Sequence, residues 1–198
     1  MPGWQQFYQE YGEQVEVVVI AQEAQGAEVA RPWVEKAGGT YRALLDQHNA
    51  IGKAYNVKFV PVGIFVDEEG RLARSVGSVN IDNGTLREEL VEWITSGAIP
   101  GAWRDGDKGA KPRVLTADEQ EADTKFQRAI VLLKQGKRED AIAELKRAYV
   151  LDPKNWLIRK QLWAIENPGM FYDGKVDYRW QKEQMAREDE ELKNEVSR

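Results

Sequence analysis

The chain has 198 residues, of which 42% are hydrophobic and 31% charged, a balance that is ordinary for a globular protein in water. Its formal net charge is −5 and no basic stripe stands out, which argues against nucleic acid as a partner. The chain contains no cysteine, which excludes disulfides and thiolate metal sites, and no apolar run approaches the roughly 20 residues of a membrane helix.

The first 96 residues alternate between strand and helix patterns. The β-branched run Val15–Ile20 fits a strand that is covered on both faces, as in a parallel sheet. Pro32 falls in the first turn of its helix, where a missing N–H costs little, and Asn49 is the expected N-cap of the next helix. In chain order the predicted elements are a helix end at 7–11, a strand at 15–20, a helix at 28–38, a short extended segment at 41–45, a helix at 49–55, strands at 62–66 and about 71–76, and a helix at 85–95. This order predicts an α/β unit that ends in a hairpin.

The second half of the chain is predicted to consist of a linker followed by helices. Glycine and proline punctuate residues 97–113, which predicts a linker. The acidic run Glu188–Glu191 is predicted to be a solvated helix face, with a site for a basic partner as the alternative. Three helices are predicted at 117–135, 138–150 and 155–166. The predicted domains are therefore an α/β unit at 1–96, a linker at 97–113, a helical module at 114–170 and a charged helical tail at 171–198.

Residues 55–71, YNVKFVPVGIFVDEEGR, form the most informative stretch. A helix end leads to Val60-Pro61, the apolar strand Val62–Val66 follows, and an acidic turn at Gly70 precedes a second strand. This pattern resembles the cis-proline hairpin of the thioredoxin-like family, in particular its TlpA-like, ResA-like and peroxiredoxin-like branch. The resemblance covers residues 1–95 and implies an incomplete thioredoxin-like sheet with flanking helices. The family's thiol–disulfide chemistry needs a thiolate, which this chain cannot supply.

The same resemblance implies that a central strand is missing. In the family, that strand precedes a helix that begins with the redox motif, and the resemblance starts part-way into this helix, at Met1–Trp4. The strand lies between the counterparts of Val15–Ile20 and Val62–Val66. One explanation, which we prefer as an account of origin, is that the chain is part of a longer protein. A second is that another polypeptide or a second copy donates the strand. A third is that the two flanking strands close up and pair directly.

Residues 120–153 resemble a tetratricopeptide repeat (TPR), a helix pair of about 34 residues. The resemblance departs from the family at Lys125, where a large aromatic residue is frequent. Because such stacks usually need about three units to be stable alone, we expect this pair and the 155–166 helix to bury themselves against the first domain or another chain. The matching positions are Ala129, Gly136, Ala141, Leu145, Ala148, Leu151 and Pro153.

Two pairs of residues are candidate contacts for a protein partner. By the thioredoxin-like resemblance, Val60 and Pro61 would line a peptide-binding edge, and the alternative is an ordinary proline at a strand start. Trp156 and Trp163 would anchor an interface, since Trp is enriched in binding hot spots. Their alternative role is to fill the core between the helical module and the α/β domain. His48 is the only histidine and is predicted to be a surface residue, because a metal site needs several ligands.

We therefore expect a protein–protein interaction role without thiol chemistry in this chain, with another protein or a second copy as partner. The rival expectation is that the chain is the truncated part of a thiol–disulfide oxidoreductase or peroxiredoxin-like enzyme whose catalytic segment lies upstream. No catalytic residue, cofactor or metal is predicted within the chain. The N-terminal residues lack the basic and apolar regions of a signal peptide, so the expected compartment is the cytoplasm, with no membrane partner.

Overall fold

The computed structural model describes residues 2–57, 59–104, 114–173 and 176–196 of a helix-rich α/β protein with a small parallel sheet. The helices are α1 Pro2–Tyr11, α2 Ala27–Lys36, α3 Ala50–Ala54, α4 Gly84–Ser96, α5 Gly101–Arg104, α6 Ala117–Lys134, α7 Arg138–Leu151, α8 Trp156–Glu166, α9 Gly169–Tyr172 and α10 Tyr178–Val196. The strands are β1 Val18–Ala21, β2 Arg42–Leu45, β3 Val62–Gly63 and β4 Gly77–Ser78. Within the described ranges, no helix combines the length and the apolarity that crossing a membrane requires.

β1 and β2 form a two-stranded parallel sheet, with Val18 opposite Arg42 and Ala21 opposite Leu45. The helix α2 connects them, because parallel neighbours need a crossover. The predicted strand at 15–20 is confirmed from Val18 onward. However, Val18 is 40% exposed, so β1 is not covered on both faces as its β-branched sequence predicts.

β3 and β4 form the predicted hairpin, but β3 covers only Val62–Gly63 of the predicted strand 62–66, and the second strand also has different bounds. Gly63 lies opposite Gly77, and nearer the turn Val66 bridges Leu72. Between these two pairs the first strand advances three residues and the second advances five, so the second strand contains a bulge. The prediction of a strand at 71–76 is therefore wrong, because the bulge interrupts the ladder and regular pairing resumes only in β4.

The two sheets do not join. Within the part of the chain that the structure describes, β1 pairs with β2 alone and β3 with β4 alone. Direct pairing of Val15–Ile20 with Val62–Val66, the third explanation for the missing strand, is therefore wrong. The two sheets nevertheless share one apolar core, in which Val17 and Phe65 pack in the same cluster as Phe7 of α1. Packing on common helices thus holds the sheets near one another without a hydrogen-bonded connection.

The core of the α/β half extends into the segment that was predicted to be a linker. Trp103 of α5 is 4% exposed, and its indole N–H donates to Glu89 Oε2 at 2.8 Å. The guanidinium of Arg74 lies 5.4 Å from the centroid of the Trp103 ring. Residues 97–104 are therefore part of the folded unit, and the rest of the predicted linker, 105–113, lies outside the described residues. The buried residues of this core are Phe7, Val17, Tyr41, Phe65, Ala73, Ile81, Leu86, Leu90 and Trp103.

The helical half begins with the pair α6 and α7. Ala129, Ala141 and Ala148 are each 0% exposed, so small side chains let the two helices approach closely. Gly136 has a φ of +74° in the turn between them, a conformation that favours glycine. The structure confirms the three predicted helices, and their ends differ by at most one residue from 117–135, 138–150 and 155–166.

The last described segment is helical, as predicted, and one side of it packs against α8. Phe171 of α9 and Gln181 of α10 are 9% and 8% exposed. Glu188 and Asp189 accept hydrogen bonds from Arg159 of α8 at 2.8 and 2.7 Å. The prediction of a solvated face is wrong for Glu188, whose side chain is 14% exposed and pairs with the buried Arg159, whereas Asp189 is 50% exposed and lies at the solvated side of this contact. Residues 174, 175, 197 and 198 of the predicted tail lie outside the described residues.

Candidate functional site

The carboxyl ends of β1 and β2 are covered by the helical half. This edge of a parallel sheet is the usual ligand-binding crevice of α/β proteins. Here Gln161 of α8, which is 6% exposed, lies against the backbone just beyond β1. The Ala24 N–H donates to Gln161 Oε1 at 2.8 Å, and Gln161 Nε2 donates to the Gln22 carbonyl at 3.0 Å. The side-chain amide of Gln161 thus bonds to both a backbone N–H and a backbone carbonyl that have no partner within the sheet.

A second contact joins Glu23 to Tyr172 of α9. The Tyr172 hydroxyl donates to Glu23 Oε2 at 2.8 Å and accepts a hydrogen bond from Gln25 Nε2 at 3.0 Å. The Gln25 N–H donates to Glu23 Oε1 at 3.0 Å. Because Glu23 is 9% exposed, burial raises the pKa of its carboxyl, although these hydrogen bonds act in the opposite direction. Burial also raises the pKa of Tyr172, and the neighbouring Glu23 carboxylate adds to that shift.

Asp46 organises the carboxyl end of β2. It is 7% exposed and accepts hydrogen bonds from the N–H groups of Ala50 at 2.6 Å and Gly52 at 3.0 Å. Its carboxylate therefore caps α3. Asn49 stands at the predicted N-cap position but makes no side-chain cap bond, because it adopts a left-handed conformation with φ of 57°.

His48 and Lys53 extend the junction to α6. His48 Nδ1 lies 2.7 Å from Gln127 Oε1, and Gln127 Nε2 donates to the His48 carbonyl at 3.1 Å. Lys134 Nζ lies 3.2 Å from His48 Nε2, and Lys53 pairs with Asp123 at 2.7 Å. The prediction of an exposed His48 is confirmed. Its ring nevertheless takes part in joining the two halves of the chain.

These contacts fill the crevice in which a small ligand would be expected. Two open clefts lie beside α2, one of about 390 Å³ and one of about 220 Å³ between Val29 and the α6–α7 turn at Gly136. The groups at the strand ends are hydrogen-bonded to the helical half, so they serve to dock one half on the other. The larger cleft is lined by Glu28, Val29, Pro32, Trp33, Lys36 and Tyr172.

Val60 and Pro61 lie on an accessible apolar surface. The bond between them is cis, as the thioredoxin-like resemblance predicts. Val60 is 45% exposed, its neighbour Phe59 is 49% exposed, and Val66 at the other end of this hairpin strand is 41% exposed. Within the described residues, the edge of β3 that faces away from β4 has no strand partner. These two predicted site residues therefore stand beside an open sheet edge.

Trp156 and Trp163, the other predicted site residues, lie together on α8 with ring centroids 6.3 Å apart. Trp163 is 1% exposed and packs edge-to-face on Trp180 of α10 at 5.8 Å. Phe171 of α9 belongs to the same cluster. The tryptophans thus hold α9 and α10 on α8, and of the two predicted site residues Trp156 is the one that is half-buried and offers surface to a partner.

The tryptophan cluster encloses a cation. The side chain of Arg159 is 7% exposed, with Nε at 2.8 Å from Glu188 Oε2 and Nη2 at 2.7 Å from Asp189 Oδ1. The Trp163 indole N–H also donates to Glu188, at 2.5 Å from Oε1. This charge is therefore fully engaged within the chain. The guanidinium lies 5.4–5.6 Å from the ring centroids of Tyr149, Trp156 and Trp163.

The chain matched no family model, no curated protein and no solved structure. The sequence analysis did not single out Glu23, Gln161 or Tyr172, which join the two halves, or Arg159. One signal was present for two of them. Together with Lys160, Arg159 and Gln161 interrupt the otherwise apolar run WLIRKQLWAI, and a polar residue within a buried helix needs a partner.

Proposed function

We propose that the chain is a protein-interaction protein that combines a thioredoxin-like α/β unit with a TPR-like helical unit and performs no thiol chemistry. The observation that carries this proposal is the exposed apolar surface at Phe59, Val60 and Val66, which lies along a hairpin strand with an open edge. Exposed apolar side chains close together in the chain, such as Phe59 and Val60, and an unpaired strand edge are both found at surfaces that receive another polypeptide.

Three features support the thioredoxin-like interpretation. β1 and β2 are parallel and joined by a helix, the hairpin follows a cis Val60–Pro61 bond, and α4 follows the hairpin. The unpaired edges of β1 and β3 also agree with the place where the resemblance expects a missing strand. The close packing of α6 on α7 through buried alanines supports the TPR-like interpretation.

The junction between the two halves supports a binding role over a small-molecule reaction. Gln161, Tyr172 and Gln127 of the helical half occupy the carboxyl edge of the parallel strands. The chain also has no cysteine, and the family's reaction requires a thiolate nucleophile. In an insulin-reduction assay the chain should give the rate of the buffer alone, and a clearly faster turnover would contradict this part of the proposal.

A pull-down from lysate of the source cells tests the proposed surface with matched variants of the full chain. Val60 and Val150 are both exposed apolar residues, at 45% and 67%, but Val60 lies beside β3 and Val150 on α7. We expect the unmodified chain and Val150→Asp to retain the same partner, and Val60→Asp to lose it. Loss with Val150→Asp alone would instead place the partner on the helical unit. Retention of no specific partner by the unmodified chain would contradict the interaction role.

The alternative is that this chain is the cysteine-free part of a thiol–disulfide oxidoreductase or peroxiredoxin-like enzyme whose catalytic segment lies upstream. The unpaired edges of β1 and β3 favour it, since the catalytic strand of such an enzyme would lie between them. Translation of the genomic DNA upstream in the same frame tests this alternative. A strand pattern followed by Cys-x-x-Cys would support it, and an upstream stop codon with no such pattern would contradict it.

A further inference from the structure

An arginine in the bulge of the β3–β4 hairpin lies against aromatic rings without a counter-charge. The guanidinium of Arg74 is 5.4 Å from the ring centroid of Phe65 and 5.4 Å from that of Trp103. Arg74 is half-buried, and within the described residues its guanidinium has neither an ion pair nor a hydrogen-bond acceptor. Its N–H groups, which are all donors, are therefore left to water or to a ligand.

The rings that contact Arg74 are held in place by the core of the α/β half. Phe65 and Trp103 are 8% and 4% exposed, and Trp93 meets both rings edge-to-face, with centroids at 6.5 and 5.4 Å. The carboxylate of Glu89 is used by the Trp103 indole N–H, which donates to it at 2.8 Å. These rings therefore fix the position of the Arg74 charge without supplying an acceptor for its N–H groups.

Arg159 shows which group completes an arrangement of this kind in the same chain. Its guanidinium lies 5.4–5.6 Å from three ring centroids and donates to Glu188 at 2.8 Å and to Asp189 at 2.7 Å. Arg74 lies at a similar distance from its rings but pairs with no carboxylate in the described ranges. What the Arg74 cluster lacks, by comparison with the Arg159 cluster, is the acceptor.

We infer that Arg74 is a binding site for the carboxylate of a ligand from outside the chain. A guanidinium carries its N–H groups in a planar fork that can donate two parallel hydrogen bonds to the two oxygens of a carboxylate. Because no other described cation stacks on Phe65 or Trp103, the cluster supplies one positive charge. A carboxylate matches that charge, whereas a phosphate monoester carries about two negative charges. The site goes beyond the proposed interaction role, since the carboxylate can belong to a polypeptide or to a free small acid.

Arg74 differs from a freely exposed arginine in what binding costs. Arg179 on α10 also forms no ion pair among the described residues, but its side chain is exposed and stacks on no ring. A ligand that binds Arg179 must first restrict a mobile side chain, whereas the rings already restrict Arg74. Avoiding the ordering of one such side chain corresponds to about a fivefold gain in affinity.

An NMR titration of the full chain at constant ionic strength tests the site, with two carboxylate probes. One is acetate, and the other is the blocked peptide acetyl-Ala-Val-Asp-Val-Ala-amide. We expect each probe to shift the Nε–H signal of Arg74 and the indole signal of Trp103, with an affinity about fivefold higher than at Arg179. The neutral analogues, acetamide and the peptide with Asn in place of Asp, should shift neither signal. Tighter binding of the peptide than of acetate identifies a polypeptide as the source, and equal or weaker binding identifies a free acid.

Two variants in the same hairpin show whether the guanidinium of Arg74 is the binding group. Arg74→Lys keeps the charge but loses the fork, so it should weaken carboxylate binding by about fivefold or more at the Trp103 indole signal. Arg71→Gln is the matched control, because Arg71 already pairs with Asp67 and Glu69 and its side chain is 71% exposed. It should leave the affinity unchanged. If a variant fails to fold, the comparison of charged and neutral probes on the unmodified chain decides.

Three outcomes would overturn the site. Equal affinities at Arg74 and Arg179 would show only the general attraction of anions to an arginine. Equal shifts with the neutral analogues would show that the carboxylate is not what is recognised. Unchanged affinity in Arg74→Lys would show that the planar fork plays no part. If the site fails in any of these ways while Val60→Asp still abolishes the pull-down, the interaction role stands and the carboxylate site alone is refuted.

Discussion

Replacing Arg159 with leucine tests whether the buried charge cluster holds the C-terminal helices on α8. The Arg159 side chain is 7% exposed and joins α8 to α10 through Glu188 and Asp189. Leucine preserves much of the contact with the surrounding rings but removes the counter-charge of both carboxylates. Glu188, which is 14% exposed, would then be a nearly buried anion with only neutral donors, from Trp163 and Gln184.

The exposure of the two carboxylates determines how much unfolding free energy the Arg159→Leu variant should lose. Removing one partner of a buried ion pair costs about 3–5 kcal/mol, because the other charge stays buried. Asp189 is 50% exposed and can turn to water, so its share is at most about 1 kcal/mol. Glu188 keeps two neutral donors, which places the total near the lower limit, at about 3 kcal/mol. For a chain of this size that corresponds to a fall of about 6–12 °C in the melting temperature.

A double-mutant cycle measured by urea unfolding checks this reasoning. Glu188→Gln removes the stranded charge, so in the Arg159→Leu background it should recover about 1–2 kcal/mol. Arg179→Leu, on the exposed face of α10, is the matched control and should change stability by no more than about 0.5 kcal/mol. A loss below about 1 kcal/mol for Arg159→Leu, or strictly additive effects of the two substitutions, would refute the argument.

Three further predictions concern the junction and the helix ends. Gln161→Leu leaves the Ala24 N–H without its partner, so it should cost about 2 kcal/mol and speed exchange at that amide; unchanged exchange would contradict the docking role. Burial raises the pKa of Glu23, so the stability it contributes is complete below the ordinary glutamate pKa and is lost as pH rises through the raised value. Glu23→Gln should lack that loss, and a difference in unfolding free energy from the unmodified chain that stays constant between about pH 4 and 7 would contradict this account. Thr116 caps α6, so Thr116→Ala should cost about 1 kcal/mol in thermal unfolding, whereas Thr124→Ala within α6 should not; equal effects would contradict the cap.

The helices were largely predictable from the sequence because their signals are local. Apolar periodicity, the turn at Gly136 and the stop at Pro153 locate α6, α7 and α8 to within one residue. The cis bond at Pro61 was also expected, but from a family resemblance and not from the residues alone. The strands were less predictable, since a bulge shifts the ladder to Gly77–Ser78 and the sequence pattern at 71–76 gave no sign of it.

The contacts between the two halves were not predictable, because they join residues far apart in the chain. Gln161 is buried only because the segment at Ala24 lies against it, and nothing near Gln161 in the sequence indicates that neighbour. The same holds for Glu188, whose acidic surroundings favour a solvated face until Arg159 is placed beneath it. Trp103 lies in a stretch rich in glycine and proline, so its burial in the α/β core also went unrecognised.

Two features of the sheets bear on the proposed binding of another polypeptide: the filled crevice at the carboxyl ends of β1 and β2, and the unpaired edges of the strands. The helical half supplies side chains to the carboxyl end of β1, whereas in the described residues one edge of β3 has no strand partner. Unpaired apolar edges promote association between chains unless something covers them. The backbone groups of Ala24 and Gln22 at the end of β1 are hydrogen-bonded to Gln161. Val18 and Val66 on the two strands, by contrast, stay about 40% exposed. In the proposed interaction role, an extended segment of a partner on the free edge of β3 would supply the missing hydrogen bonds there and cover Val66.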